Sequence, residues 1–396
     1  MKNLKLTFDK IVKNTSEIVD EDIKQILLLY EEKIVFIGDC CVRFDKFRYF
    51  RSFLNNATIT LNFAHKENFK FYDGLLKNNP HVDHITTLDW AEIGFEKYDI
   101  VFCISYREEK FLEFLYGKYG DLIMNGQFKL AVYSISELIL KSELRGNYIF
   151  PVNKHLIEHV KKPRPGELYI SKEEQRWADH WLESKGLKKN EDLYIILDST
   201  SIREKLMKIT VYFDFLTTIL KGKNVKALIF DEGSIGKEEF YRQWLDNKTL
   251  EKLIFSKSVS LRENLCFIGS SNTRLIFGPC TGLMHCSSSI YNNYLSNGMD
   301  IRDIPLMITY TGQYTIENKN ANFWWGSAPL VNCLLLKKRH NRKEIVLLSS
   351  LPEQEKDLDD SLACSEYTTE MLMGFINRKV SQNSPDLLYP DAFSVK

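Results

Sequence analysis

Short apolar runs of strand length recur along this 396-residue chain in two series, each run separated from the next by a segment long enough for a helix. That rhythm marks βαβ units, and it points to an α/β chain with parallel sheets covered by helices. In the first series, residues 21–32 carry helical spacing at Ile23, Ile26, Leu27 and Tyr30. They precede Lys33-Ile34-Val35-Phe36-Ile37, which reads as a buried strand ended by Gly38 and Asp39. Further strands are expected at 58–61, 100–104 and 129–133. Residues 151–167 break the pattern with Pro151 and Lys161-Lys162-Pro163-Arg164-Pro165-Gly166, a composition typical of an interdomain connection. The second series predicts helices at 172–186, 209–221 and 237–246. Strands are expected at 193–197, 225–230, 265–268, 274–277 and 306–308, with a long loop at 318–327 and a tail helix at 367–377. Two Rossmann-like domains follow, 1–164 and 165–365, with 366–396 as a helix and tail able to pack back on the first domain.

Lysine plus arginine and aspartate plus glutamate number 53 each, so no whole-chain charge advertises nucleic acid as a partner. The eight cysteines sit mostly inside apolar runs and form no paired C-x-x-C framework, which reads as reduced thiols rather than disulfides or zinc. The Met1-Lys2-Asn3-Leu4-Lys5 start leads into a charged segment without an apolar stretch of signal or spanning length. A cytoplasmic location is expected, with peripheral contact at the inner membrane face left open.

The stretch from Gly278 to Ser289 carries the chemistry most clearly. It follows Leu275-Ile276-Phe277 and reads as strand, tight turn, helix: Gly282 allows close backbone approach, Thr281 can cap the helix, and the first-turn N–H groups with the positive dipole end face outward. A phosphate or diphosphate is the natural occupant. His285 lies one turn on, and a satisfied core histidine competes there with a ligand contact. Cys280 and Cys286 read as small packing residues. The literal Asp-x-Asp triplets at 20–22 and 357–359 follow no buried strand, and both read as solvated surface rather than metal sites.

Five segments in order resemble the lipopolysaccharide heptosyltransferase-like family, glycosyltransferase family 9. These are Ile37-Gly38-Asp39, then Pro80-His81-Val82-Asp83-His84-Ile85, the run 168–197, Asp198-Ser199-Thr200-Ser201-Ile202-Arg203-Glu204-Lys205, and Cys280-Thr281-Gly282-Leu283-Met284-His285. The resemblance implies the GT-B fold, two Rossmann-like domains facing across a cleft, the first on the acceptor side and the second binding a nucleotide-sugar. It implies an inverting transfer with Asp39 as the base. Thr200, Ser201, Lys205, Thr281, Gly282 and Leu283 would hold the donor diphosphate, with Lys208 competing for the lysine role. Glu238 and Glu239 would receive ribose hydroxyls, with ordinary helix-start glutamates as the equal alternative, and Cys280 and His285 would lie by the donor sugar or support the helix. The basic set Arg43, Lys46, Arg48 and Arg51 would flank the acceptor, a glycan or glycoconjugate, although a solvated helix face is the commoner meaning of such a run. No cofactor is expected beyond the nucleotide diphosphate-sugar co-substrate, and no metal. Cys280 stands where the family carries aspartate, which puts sugar choice in doubt. It also keeps a non-catalytic nucleotide-sugar-binding protein open as a rival, and the architecture leaves a second, a sugar-nucleotide epimerase.

Overall fold

The computed structural model describes residues 2–15, 22–31, 36–44, 47–103, 108–134, 165–313, 321, 325, 328–356 and 361–381. It divides into two compact units, and the division is not one cut. The first holds residues 1–35, 43–73 and 79–163; the second holds 36–42, 74–78 and 164–396.

The first unit is a five-stranded sheet in the order β3-β2-β1-β4-β5, parallel throughout, made of β1 (Gln25–Tyr30), β2 (Thr58–Phe63), β3 (His84–Thr86), β4 (Ile100–Cys103) and β5 (Ala131–Ser134). Helices α1 (Lys2–Thr15), α3 (Phe47–Phe53), α4 (Phe69–Leu76) and α5 (Glu108–Met124) accompany it, while α2 (Ile37–Arg43) falls almost wholly in the second unit. The expected helix at 21–32 is corrected to the central strand β1. Gln-Ile-Leu-Leu-Leu-Tyr is apolar almost without a break, so it satisfies helical spacing and strand alternation alike, and a position between β2 and β4 buries both of its faces. The expected strand at 33–37 is corrected in turn: Ile37 opens α2, and 33–35 lie outside the described residues.

Asp83, part of the second family-like segment, has a structural task here. It accepts hydrogen bonds from Arg51 Nη2 at 2.5 Å and from the Ile59 N–H at 2.7 Å, and Arg51 also donates to the Ala57 carbonyl at 2.8 Å. The Ile59 N–H and the Arg51 guanidinium outweigh partial burial and hold the Asp83 carboxyl below its ordinary range. Arg51 is therefore a brace at the start of β2.

The second unit is a seven-stranded sheet in the order β12-β11-β10-β9-β6-β7-β8. Its strands are β6 (Asp192–Ile196), β7 (Val225–Ile229), β8 (Leu253–Phe255), β9 (Thr273–Pro279), β10 (Leu306–Tyr310), β11 (Val331–Arg339) and β12 (Arg342–Leu347); only β12 runs antiparallel. The helices are α6 (Lys172–Ser184), α7 (Ile209–Ile219), α8 (Lys237–Tyr241), α9 (Asn247–Leu250), α10 (Leu261–Ile268), α11 (Gly282–Ser296) and α12 (Thr369–Ser381). The strand expected at 265–268 is corrected to α10. Ser260 and Glu263 form a reciprocal capping box at its start, and that local pairing commits the following apolar residues to a helix.

The described tail helix α12 packs on α7 within the second unit. Leu372, Phe375 and Ile376 are buried in the cluster that holds Phe215, Leu216 and Ile219, apolar stripe against apolar stripe. Most of the loop expected at 318–327 lies outside the described residues. Among the described residues, no helix is long and apolar enough to cross a membrane.

Candidate functional site

Strand order reverses between β6 and β9: β7 and β8 lie to one side, β10 to β12 to the other. The crevice outside the carboxyl ends of two such strands is where open α/β sheets take ligands. The loop after β6 begins at Asp198, and the turn after β9 is Cys280-Thr281. The two exits are drawn together because the Leu197 N–H donates to the Phe277 carbonyl at 2.8 Å, and because Gly278 has no side chain. A Cβ there would lie 2.5 Å from Leu197 Cβ and 2.8 Å from its carbonyl oxygen.

Thr281 caps α11 as its sequence suggests, its extended backbone placing Oγ1 3.2 Å from the Leu283 N–H. Leu283 N–H, expected to face a phosphate, is thus occupied by the cap. The neighbouring N–H groups of Gly282 and Met284 have no helical acceptor, as at any helix start, and they carry the positive end of a 15-residue helix.

Helix α2 packs directly onto this helix start. A Cβ on Gly282 would lie 3.1 Å from Gly38 N and from Ile37 Cβ, and a Cβ on Gly38 would lie 2.9 Å from His285 Cδ2. Two glycines let the two backbones meet. One turn deeper, Cys41 Sγ lies 3.5 Å from Cys286 Sγ, and a Cβ on Gly166 would strike the Cys41 carbonyl oxygen at 2.4 Å. Asp39, half-buried in the first turn of α2, is thereby fixed one residue from the Gly38–Gly282 contact. Its carboxylate joins the Cys286 thiol and burial in pushing the Cys41 thiol well above its ordinary range.

Lys205 ends a short 3-10 turn, 203–205, and its charge acts on Cys280, His285 and Cys364, so it belongs to the same cluster. Lys208 stands just before the first residue of α7, and its charge acts on Glu366 instead. Burial, aided by Lys205, drives the His285 imidazole down to about 3, so it is neutral at physiological pH. Its ring stacks on Trp325 at 4.0 Å with 4° between planes. Cys280 is 5% exposed, and burial outweighs Lys205 and the nearby Trp325 indole in pushing its thiol up. Cys280 therefore carries a neutral thiol at physiological pH. Sequence reasoning missed Trp325, which is four-fifths of the way along the chain and carries no local motif.

Glu238 and Glu239 open α8, but the Glu238 carboxylate is engaged at 2.8 Å by Lys257 and at 2.6 Å by Arg242. Those two cations hold its carboxyl below the ordinary range. It lines a cavity beside β8 with Trp181, Phe255 and Lys257. Glu239 is exposed and lies 3.7 Å from Lys257. Arg43 ends α2 and Arg48 lies on α3, both counted with the first unit; Arg48 is half-buried, and the Arg43 side chain and Lys46 lie outside the described residues. All eight cysteines are buried and unbridged. Among the described residues, no group of three or more His, Cys, Asp or Glu side chains could hold a metal ion. Residues 20, 21 and 357–359 of the acidic triplets lie outside them.

No family model and no curated protein matches the chain in sequence. Solved structures do match. The Escherichia coli ADP-heptose lipopolysaccharide heptosyltransferase II aligns over 91% of this chain and 99% of its own, with a TM-score of 0.58 at 10% identity. A family 9 glycosyl transferase from Veillonella parvula aligns over 91% and 98%, with a TM-score of 0.57 at 12% identity. The fold is the GT-B fold. It is the one the family-like segments imply, and at such identity the likeness speaks of architecture; the chemistry has to come from the site itself.

Proposed function

We propose that this protein is an inverting, metal-independent glycosyltransferase that moves a sugar from a nucleoside diphosphate-sugar to a hydroxyl of a glycan or glycoconjugate. The observation that supports the reading is the Gly38–Gly282 contact, which brings the backbone one residue before Asp39 against the start of α11 at a topological switch point. A carboxylate next to an anion seat is an unfavourable pairing for mere stability, and it is what such a transfer requires.

In the reaction, Asp39 takes the proton of the acceptor hydroxyl as its oxygen bonds to the anomeric carbon. The bond from that carbon to the diphosphate oxygen breaks on the opposite face, which inverts the configuration. Charge then develops on the departing diphosphate. The α11 N-terminus, Thr200, Ser201 and Lys205 neutralise it, so the reading assigns no step to a divalent cation. Neutral His285 supports the helix start through its stack on Trp325 and is given no proton-transfer role. Glu238 is already engaged by two cations, and the more exposed Glu239 is the better acceptor of those hydroxyls.

Lys205→Ala should weaken nucleoside diphosphate binding about 10- to 100-fold, the range of a lost charge-assisted contact, with nucleoside binding unchanged. Calorimetric titration of both ligands checks this. An unaltered diphosphate affinity would move the role away from Lys205.

A further inference from the structure

The loop from Asp198 to Lys208 bears the hydroxyl residues and the lysine of the donor seat, and one buried hydrogen-bonded chain holds both of its ends. At its start, Asp198 accepts from Lys237 Nζ at 2.5 Å through Oδ1 and from Tyr241 Oη at 2.7 Å through Oδ2. Past its end, Tyr212 on the first turn of α7 shares a 2.5 Å hydrogen bond with that same Tyr241 hydroxyl. Lys237 also donates to the Phe230 carbonyl at 2.6 Å, which ties the chain to the exit of β7. Asp198 and Lys237 are only 13% and 12% exposed, and Tyr241 is 1% exposed.

Such a cluster is an expensive way to stabilise a fold. Two charges have been taken out of water, and apolar residues of similar volume commonly do as well or better. What a directional chain provides is geometry, and this one joins the first residue of the loop to the first turn of the helix that follows it. Burial and the surrounding groups raise both tyrosines well above their ordinary range, so the hydroxyls keep their protons and the chain persists across the working pH range.

We propose that Asp198, Lys237, Tyr241 and Tyr212 form a clamp that positions the 198–208 loop, and through it Lys205, for an anionic diphosphate. These are positioning residues, since none is assigned a ligand contact. The inference rests on the donor-site reading above, and no step of the reaction passes through the clamp.

Tyr241→Phe removes the hydroxyl shared by both ends of the loop and keeps the ring among Tyr212, Phe213 and Phe255. The expected result, from titration of ADP, GDP, UDP and CDP and of the matching nucleosides, is about a 10-fold loss of affinity for the diphosphate that the wild-type protein binds, with nucleoside affinity unchanged. In a Lys205→Ala background the same change should have almost no further effect, because the clamp acts through that lysine. A merely structural role would lower affinity for both ligands and would add to the Lys205 loss. Tyr212→Phe breaks the last link of the chain and should reproduce the result if Tyr241→Phe does not fold. A wild-type protein that binds a diphosphate, with variants that bind it equally well, would overturn the clamp alone. A wild-type protein that binds none of the four would overturn the donor-site reading together with it.

Discussion

Asp39→Asn is expected to lower the turnover of sugar transfer about 1,000-fold, within the range a positioned general base contributes. Asparagine keeps the size and shape of the side chain and removes only its ability to take a proton. Nucleoside diphosphate affinity should stay the same or rise slightly, because Lys205 and the α11 start are untouched and one negative charge has left their surroundings. Measuring nucleoside diphosphate release in the presence of acceptor, beside calorimetric binding of the same diphosphate, separates the two effects. Undiminished turnover would take Asp39 out of the mechanism. A parallel loss of binding would instead mean that α2 organises the helix start, for the Gly38–Gly282 contact lies one residue away.

The largest effect on stability is expected at Arg262. Its guanidinium donates from Nε to Glu174 Oε1 at 2.9 Å and from Nη2 to Oε2 at 2.6 Å, while also serving the carbonyls of Gly74 at 3.0 Å and Tyr169 at 2.6 Å. Both side chains are about nine-tenths buried. Glu174 closes the capping box of α6 with the Ser171 N–H and also receives Lys77 and Asn78, so one ion pair joins α6, α10 and the 74–78 segment. Arg262→Met would leave that buried carboxylate with only Lys77, Asn78 and the Ser171 N–H, and two carbonyls short of a donor, at a cost of about 3 kcal/mol. Urea unfolding followed by tryptophan fluorescence checks it, since five of the six tryptophans lie in the second unit.

The same pair predicts an acid transition. Burial alone would raise the Glu174 carboxyl, yet Arg262, the Ser171 N–H and Lys77 hold it at about 2 against an ordinary 4.5. A carboxyl depressed in the folded state contributes stability that is complete above the unfolded value and is lost as pH falls from about 4.5 toward 2. Stability measured across that window should fall in the wild-type protein and should fall less in Arg262→Met. Equal slopes would mean that other carboxyls dominate acid unfolding.

How much of this was legible in the chain depended on whether a feature is local. The α11 start was readable because its cap, its glycine and its preceding strand are contiguous, and the second-unit strands β6, β7, β9 and β10 were readable from runs bounded by turn residues. β1 was misread because a continuous apolar run carries no periodicity to arbitrate between helix and strand. The capping box at Ser260 and Glu263 could have corrected the reading of 265–268, had a helix start been sought there. β8 is only three residues long, and the β11–β12 hairpin turns at His340 and Asn341, both in left-handed backbone; Asn341 was the available signal. The clamp on the 198–208 loop, the Trp325–His285 stack and the Arg262–Glu174 pair join residues tens of positions apart, and no spacing rule exposes such partners.

The paired exits of β6 and β9 are proposed to seat a nucleoside diphosphate. The most direct measurement is thermal unfolding of the wild-type protein and of Lys205→Ala in the presence of ADP, GDP, UDP, CDP and their common sugar conjugates. The expected result is that one nucleotide series raises the wild-type midpoint, as a ligand bound only by the folded state must, and that the rise shrinks in Lys205→Ala. No shift with any nucleotide, or an equal shift in both proteins, would contradict it.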